Sequence, residues 1–315
     1  MSMIQVQAPG LQTTVQDLGR EGFGPIGVSP SGAADPISLR LGNRLVANDE
    51  GAAGLEMMLL GGTFVFPEGA IVALTGSDFG ATLDDSHIEV GTSVEVQPGQ
   101  ALRMGPTNSG ARCYLCVQGG IAVAPFLGSA STDILSGLGG FEGRPLRKGD
   151  VMRIGSSTKT EPFHKRTIAP QASQHLFDRK VLRVTPGPQV DWFPESSLRS
   201  FYGGAYRVGE QSNRMGLRLE GATVAQRGAS SMITEGVSLG AIQVPLGGSP
   251  IILFVEQQTT GGYPKIANVI AADLHRVGQL RPRDEIRFAQ VTFDEARCLL
   301  IEQEKLLASE DLILE

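Results

Sequence analysis

Four stretches of this chain combine glycine-rich backbone with polar and charged side chains, the makeup of loops that hold anions or polar substrates. The first is Thr13-Thr-Val-Gln-Asp-Leu-Gly-Arg-Glu-Gly22, continued at Ser29-Pro-Ser-Gly-Ala-Ala-Asp35. The second, Gly128-Ser-Ala-Ser-Thr-Asp133, leads into Gly139-Gly-Phe-Glu-Gly-Arg144. The third is Gln211-Ser-Asn-Arg-Met-Gly-Leu-Arg218, and the fourth is Glu256-Gln-Gln-Thr-Thr-Gly-Gly-Tyr-Pro-Lys265. In the fourth, Gly261 and Gly262 free backbone N–H groups to approach a ligand, while Thr259 and Thr260 offer hydroxyls. Lys265 adds a compact positive charge suited to a carboxylate or phosphate oxygen. The competing reading of each stretch is structural: glycines that make turns, and polar side chains that cap backbone groups.

Other arrangements match reactive motifs by letter only. Cys113-Tyr-Leu-Cys116 is a C-x-x-C within an alternating strand pattern, where residues three apart point to opposite faces. A redox pair instead needs its thiolate at a helix N-terminus, and no second C-x-x-C or His pair completes a zinc site. These two cysteines are expected to be structural. Gly22-Phe-Gly-Pro-Ile-Gly27 fits G-x-G-x-x-G, but Pro25 stands where the helix of a dinucleotide-binding turn must begin. There is no G-x-x-x-x-G-K-[ST] and no G-x-S-x-G. The four histidines, His87, His164, His175 and His275, show no metal spacing and read as surface or hydrogen-bonded residues. No metal site is expected.

The elements that must position these loops are short strands. Runs bounded by Gly, Pro, Asn or Asp predict strands at Ile4–Gln7, Thr63–Phe66, Ala70–Leu74, His87–Val90, Ser93–Val96 and Ala101–Met104. Others are predicted at Arg112–Val117, Val181–Val184, Ala241–Val244, Ile251–Val255 and Glu285–Phe288. Helical signals are few. Asp35-Pro36 predicts a capped helix start before Ile37–Val46, and Thr292-Phe-Asp-Glu295 is a capping box opening a C-terminal helix to about Ala308. A shorter helix is predicted at Ala271–Arg276, ended by Gly278. Glycine supplies 41 of 315 residues, roughly twice the ~7% average, which suits a turn-rich, mainly β chain. Polar residues and prolines gather in Gly155–Lys180. The expected domains are therefore 1–160 and 181–315, joined by a linker at 161–180, with the C-terminal helix in the second.

Composition narrows the class of partner. Net charge is −6, and the basic residues form no stripe, so nucleic acid is not expected. No apolar run approaches the ~18 residues that would span a bilayer, and no basic segment followed by an apolar run marks a leader. Three cysteines argue against a disulfide scaffold. The expectation is a cytoplasmic protein without membrane association. The C-terminal helix, with Leu299, Leu300, Leu306 and Leu307, either packs on its own barrel or offers an apolar face to a partner.

The words TTVQDLGREG (13–22), GVSPSGAAD (27–35), LTGSDF (74–79), GSASTD with GGFEGRPLRKGD (128–150), SNRMGLRL (212–219) and QTTGGYPKIA (258–267) carry a resemblance. They are similar to the family variously called allophanate hydrolase subunit 2, biotin-dependent carboxyltransferase-like, or the C subunit of 5-oxoprolinase. The matching words reach nearly the whole chain. The resemblance implies two tandem cyclophilin-like β-barrels with a few short helices. It also implies one member of an ATP-dependent 5-oxoprolinase complex that opens 5-oxoproline to L-glutamate, inactive alone. The partners implied are a companion resembling allophanate hydrolase subunit 1 and a LamB/YcsF-like subunit. Two alternatives stay open: a carboxyltransferase component of a biotin-dependent urea or amide carboxylase, and a non-enzymatic regulator of the companion protein. The family usually has Asp two residues before QTTGGYP; here the residue is Glu256, which keeps the carboxylate and moves it by one methylene.

Opening a resonance-stabilised lactam with ATP means phosphorylating the amide oxygen and then admitting water. That route asks for cations and N–H donors around a developing negative charge and for carboxylates to manage protons. The resemblance and this chemistry together nominate Asp17, Arg20, Arg144, Arg214, Glu256 and Lys265 as catalytic. They nominate Asp133, Gln258, Thr259, Thr260, Gly261 and Gly262 as binding the substrate. Each charged member can equally be a structural ion pair fixing a loop. With no nucleotide motif present, ATP is expected as a co-substrate held with the partner subunits, and no tightly bound cofactor is expected.

Overall fold

The computed structural model describes residues 2–157, 163–170, 180–228 and 232–315. His175 and most of the expected linker lie outside the described residues. The chain divides into two compact units. The first is Met1–Arg20, Ser31–Leu176 and Leu307–Glu315; the second is Glu21–Pro30 and Phe177–Leu306.

The first unit contains two seven-stranded sheets. One runs Ile121–Ala122, Val151–Ile154, Met3–Ala8, Thr63–Val65, Ala101–Arg103, Thr82–Leu83 and Ser86–His87. The other runs Thr13–Gln16, Gly54–Met58, Arg112–Val117, Ala70–Gly76, Thr92–Val96, Thr167–Ile168 and Ile313–Leu314. Side chains that alternate along these strands build one core, including Ile4, Val6, Leu55, Met57, Phe64, Leu102, Leu115 and Val117. Strand Arg112–Val117 is buried along its whole length, as expected of a strand covered on both faces. Cys113 joins the core, while Cys116 turns the other way toward helix α1, Pro36–Leu45. Burial pushes both thiols far above their ordinary range, which makes them inert.

Helix α1 starts where its sequence predicts. The Asp35 carboxylate accepts from the Ser38 N–H at 3.0 Å and the Ser38 hydroxyl at 2.6 Å, and Pro36 takes the first helical position. Gly42 lets the helix lie close on the sheet: a Cβ there would stand 2.7 Å from Cys116 Sγ and 2.8 Å from Thr75 Oγ1.

The second unit closes a seven-stranded barrel. Its order is Val181–Pro186, Lys265–Val269, Ala241–Gln243, Ile251–Leu253, Gly216–Glu220, Tyr206–Val208 and Glu285–Gln290. Neighbours pair antiparallel except at the closure, where Val181–Pro186 runs parallel to Glu285–Gln290 with Val181 opposite Arg287. A small ribbon, Glu235–Gly236 with Thr260–Gly261, is attached. The helices of this part are α2, Glu195–Gly203, α3, Leu274–Gly278, and α4, Phe293–Ala308. Helix α2 brings Phe201 onto Phe288, with ring centroids 4.6 Å apart and stacked, and Tyr206 leans on Phe288 at 5.7 Å.

The mainly β expectation holds, and Arg112–Val117 coincides with its predicted strand. The strand predicted at His87–Val90 shrinks to Ser86–His87. Helix α2 carries no predicted signal, because ESSLRSFYG opens after Pro194 without a capping side chain and its serines are indifferent helix formers. The Thr292 capping box forms as read: the Thr292 N–H donates to Glu295 at 2.7 Å and the Glu295 N–H donates back at 3.2 Å. In α4 only Leu307 is fully buried; Leu299, Leu300 and Leu306 are half-buried. At the end of α4, the Arg44 guanidinium donates to the carbonyls of Leu307 and Ser309, within the first unit. No described helix is long and apolar enough to cross a membrane.

The aromatic stack sets a stability prediction. Phe201→Ala is expected to lower the unfolding free energy by about 3–5 kcal/mol, the cost of deleting a fully buried ring, measured by urea denaturation of the full chain. A loss no larger than that of an exposed Phe293→Ala control would contradict the packing described.

Candidate functional site

In the second unit two charged pairs form, the first set by barrel register. Strands Gly216–Glu220 and Ile251–Leu253 pair Gly216 with Leu253. Their extensions continue the pairing: the Phe254 N–H donates to the Met215 carbonyl and the Glu256 N–H to the Arg214 carbonyl, each at 2.9 Å. The side chains of Arg214 and Glu256 therefore meet in an ion pair through Nε and Oε1, with exposures of only 5% and 1%. A buried pair of this kind persists only because each charge neutralises the other.

Lys265 opens the strand Lys265–Val269 and is 4% exposed. Its Nζ donates to Glu235 Oε1, and its backbone N–H donates to Gln189 Oε1 at 3.1 Å. Gln189 Nε2 in turn donates to Glu235 Oε1 at 2.9 Å, closing a three-residue loop of bonds. The Lys265 ammonium and, secondarily, the Gln189 amide hold the Glu235 carboxyl below the usual carboxylate range. Gly187 makes room for this strand, since a Cβ there would collide with the Lys265 carbonyl. Beside these groups is a cavity of ≈ 280 Å³ lined by Asn213, Arg218, Gln243, Gln258 and Tyr263 among others. Thr260 and Gly261 form part of the small ribbon, so their backbone is paired with Glu235–Gly236 as a strand.

In the first unit, Asp17 is the knot of another loop cluster. Its carboxylate accepts from the Gly19 N–H at 2.8 Å, the Ser129 hydroxyl at 2.6 Å, the Ala130 N–H at 2.6 Å and the Ser131 hydroxyl at 2.5 Å. Three of these donors meet Oδ1 and one meets Oδ2, so the carboxylate is fully engaged by the loops around it. Arg20 is buried, donates to the Ser131 carbonyl and lies over the Phe126 ring at 5.4 Å. Gly139, at φ +65°, leaves no space for a side chain against Arg20 and Ser131. Asp133 is buried and accepts from the Ser136 N–H at 3.0 Å, fixing the turn to Leu138. Arg144 stands apart from these, donating to Glu142 at 2.5 Å and Asp150 at 2.8 Å over the Phe141 ring. Its guanidinium holds the Asp150 carboxyl below the usual range.

The nominated residues thus fall into two groups. Asp17, Arg20, Asp133 and Arg144 belong to the first unit; Arg214, Glu256, Gln258, Thr259, Thr260, Gly261, Gly262 and Lys265 belong to the second. Within the second, Gln258 lines the cavity and Lys265 pairs across the barrel with Gln243, which lines it too, while Arg214 and Glu256 hold each other. Sequence reading missed Glu235, Gln189 and Gln243. Gln243 had a signal, a glutamine inside the apolar run Ala241-Ile-Gln-Val244, whereas Glu235 stands in a stretch with no periodic pattern. Another missed network is structural: buried Glu56 pairs with Arg112 at 3.2 Å and accepts from the Tyr114 hydroxyl and the Ala34 N–H. Among the described residues, no group of three or more His, Cys, Asp and Glu is placed to hold a metal ion.

The Lys265–Glu235 contact makes a titration prediction. Glu235 gives up its proton more readily than a free glutamate because of its partners, so it stays charged further into acid. Lys265→Met is expected to move the Glu235 midpoint upward toward its ordinary value, followed by carboxyl carbon NMR. An unchanged midpoint would show that the ammonium does not act on it.

Comparison with known proteins follows the same lines. The family model described as carboxyltransferase domain, subdomain A and B, matches residues 26–290. The chain is 38% identical to the C subunit of 5-oxoprolinase from Escherichia coli (strain K12), over 93% of each. It is 35% identical to the urea amidolyase of Saccharomyces cerevisiae over 98% of this chain and 18% of that protein. Its fold matches the crystal structure of the K. lactis urea amidolyase with a TM-score of 0.91 at 33% identity, covering 99% of this chain. The chain spans about a fifth of that larger protein (21%). With the family model, these relatives and the matched fold all in register along its length, the chain belongs to the carboxyltransferase domain family, which includes the C subunit of 5-oxoprolinase and the matching part of urea amidolyase.

Proposed function

We propose that this chain is part of an ATP-dependent 5-oxoprolinase complex that opens 5-oxoproline to L-glutamate in the cytoplasm. The observation that carries the reading is coverage. The match to the 5-oxoprolinase C subunit runs over 93% of both chains, whereas urea amidolyase is matched along 18% of its length. The site chemistry supports the same reading. In the proposed reaction the lactam oxygen takes the γ-phosphoryl group of ATP and ADP leaves. Water then adds to the ring carbon, the C–N bond breaks with a proton passing to nitrogen to leave an acyl phosphate, and a second water hydrolyses that acyl phosphate to the free carboxylate and phosphate. Negative charge grows on the lactam oxygen and phosphate, where Lys265 and the donors of Gln258–Gly262 serve. Arg214 and Glu256 hold the facing strands that position these donors. The chain has no phosphate-binding motif of its own, so ATP enters with the partner subunits, a companion resembling allophanate hydrolase subunit 1 and a LamB/YcsF-like protein.

A carboxyltransferase role toward urea or a similar amide is the second reading, favoured by the 0.91 TM-score to the K. lactis urea amidolyase. Both reactions act on an amide flanked by a carbonyl oxygen, so the same donors suit either.

The test is 5-oxoproline-dependent ATP hydrolysis by the chain co-expressed with both partners. Full activity without this chain would overturn the proposal, and carboxyl transfer from carboxybiotin to urea would establish the second reading. Within the active complex, Lys265→Met is expected to lower kcat by about 100-fold, the usual loss of one donor to a developing anion. A KM effect alone would assign Lys265 to ground-state binding.

A further inference from the structure

The cavity beside Gly261 contains a polar group that the fold itself does not explain. Gln243 is 2% exposed, yet its Nε2 has no hydrogen-bond partner in the structure. Leaving a buried donor unmade costs roughly 1–3 kcal/mol, so native proteins seldom keep one without a use. Gln243 lies opposite Lys265 in the barrel, where the pairing of Ala241–Gln243 with Lys265–Val269 shifts register. Such irregularities re-aim side chains next to sites.

A second donor points to the same place. Gln258 lines the same cavity from the opposite stretch. The Nε2 groups of Gln243 and Gln258 converge on Gly261: a Cβ there would lie 3.0 Å from Gln258 and closer still to Gln243. Gly261 therefore lets both amides pack against its backbone, where a side chain would displace them. At the mouth stand the exposed guanidinium of Arg218 and the half-exposed ring of Tyr263. A volume of ≈ 280 Å³ lies at the small end of ligand cavities, suited to a metabolite rather than a polymer.

We infer that this cavity recognises a small carboxylate that also carries a carbonyl oxygen. Gln243, at the buried end, and Gln258, toward solvent, donate to the carbonyl oxygen, and Arg218 meets the carboxylate at the mouth. The inference deepens the function proposed above and rests on it only for the choice of 5-oxoproline as probe.

Calorimetric titration of the full chain separates the two. The probes are 5-oxoproline, proline, which lacks the carbonyl, 2-pyrrolidinone, which lacks the carboxylate, and succinamate, an open-chain carboxylate with an amide carbonyl. The expected result is that 5-oxoproline binds and that proline and 2-pyrrolidinone bind at least about tenfold more weakly. Gln243→Met and Gln258→Met should each weaken 5-oxoproline about tenfold, the worth of one good hydrogen bond. Gly261→Ala should weaken it by displacing the amides. Gln258 is exposed, so its variant keeps the test valid if a Gln243 variant unfolds, and thermal melting monitors each. Unchanged affinity for 5-oxoproline in both glutamine variants would overturn this pocket while leaving the proposed function standing. Binding of succinamate but not 5-oxoproline, sensitive to Gln243→Met, would sustain the pocket and overturn the 5-oxoproline reading. Binding of none of the four probes would overturn the pocket.

Discussion

A charge taken out of water must take its opposite with it, since the desolvation penalty is several kcal/mol per ion. That constraint organises much of this protein. Arg214 is held by Glu256, Lys265 by Glu235, Arg112 by Glu56 and Arg183 by Asp273. In each pair the partners come from distant parts of the sequence, so the pairing fixes one loop or strand against another. Asp17 does the same without a cation, gathering four donors from two loops. Polar residues in the glycine-rich stretches are therefore architectural first, and chemistry is available only where a group retains capacity after its structural bonds are made.

That criterion separates residues that look alike in sequence. Arg144 and Lys265 both follow glycine-rich stretches. Arg144 is engaged by two carboxylates, Glu142 and Asp150, in a local turn. Lys265 faces one partly exposed carboxylate and begins a barrel strand that pairs with Gln243, a residue lining a cavity. Likewise Asp17 and Glu256 are both carboxylates in family-like words, and both are committed to holding loops together. The amides fare differently: Gln243 and Gln258 are neutral, so they can sit against a ligand without a counter-ion.

How much of this was legible beforehand follows from the range of each interaction. Local rules located α1 through Asp35 and Pro36, the C-terminal helix through Thr292 and Glu295, and the opposite facing of Cys113 and Cys116. They also separated Gly22–Gly27 from a nucleotide turn. What local rules cannot reach is pairing across the chain. Nothing near Glu235 announces Lys265, and nothing near Arg214 announces Glu256, because barrel register joins the second pair and the attached ribbon brings Glu235 to the first. Stretches read as loops also contain strands, such as Thr13–Gln16 and Gly216–Glu220. Their glycines and polar residues mask the alternation, and only the sheet partners reveal it. The two-group arrangement of the nominated residues was beyond sequence reading for the same reason.

The parallel closure of the barrel has a consequence for biosynthesis. Val181–Pro186 waits for Glu285–Gln290 before its ring of hydrogen bonds is complete, and in the first unit Thr167–Ile168 gains Ile313–Leu314 as its outer neighbour. Both units thus draw on strands that lie late in the chain. Until these emerge from the ribosome, strand edges with unsatisfied N–H and C=O groups remain available to other chains, and contacts this distant in sequence form slowly. Neither half of a nascent chain is finished before these late strands are made, so its vulnerable period is set by translation time as well as by folding rate.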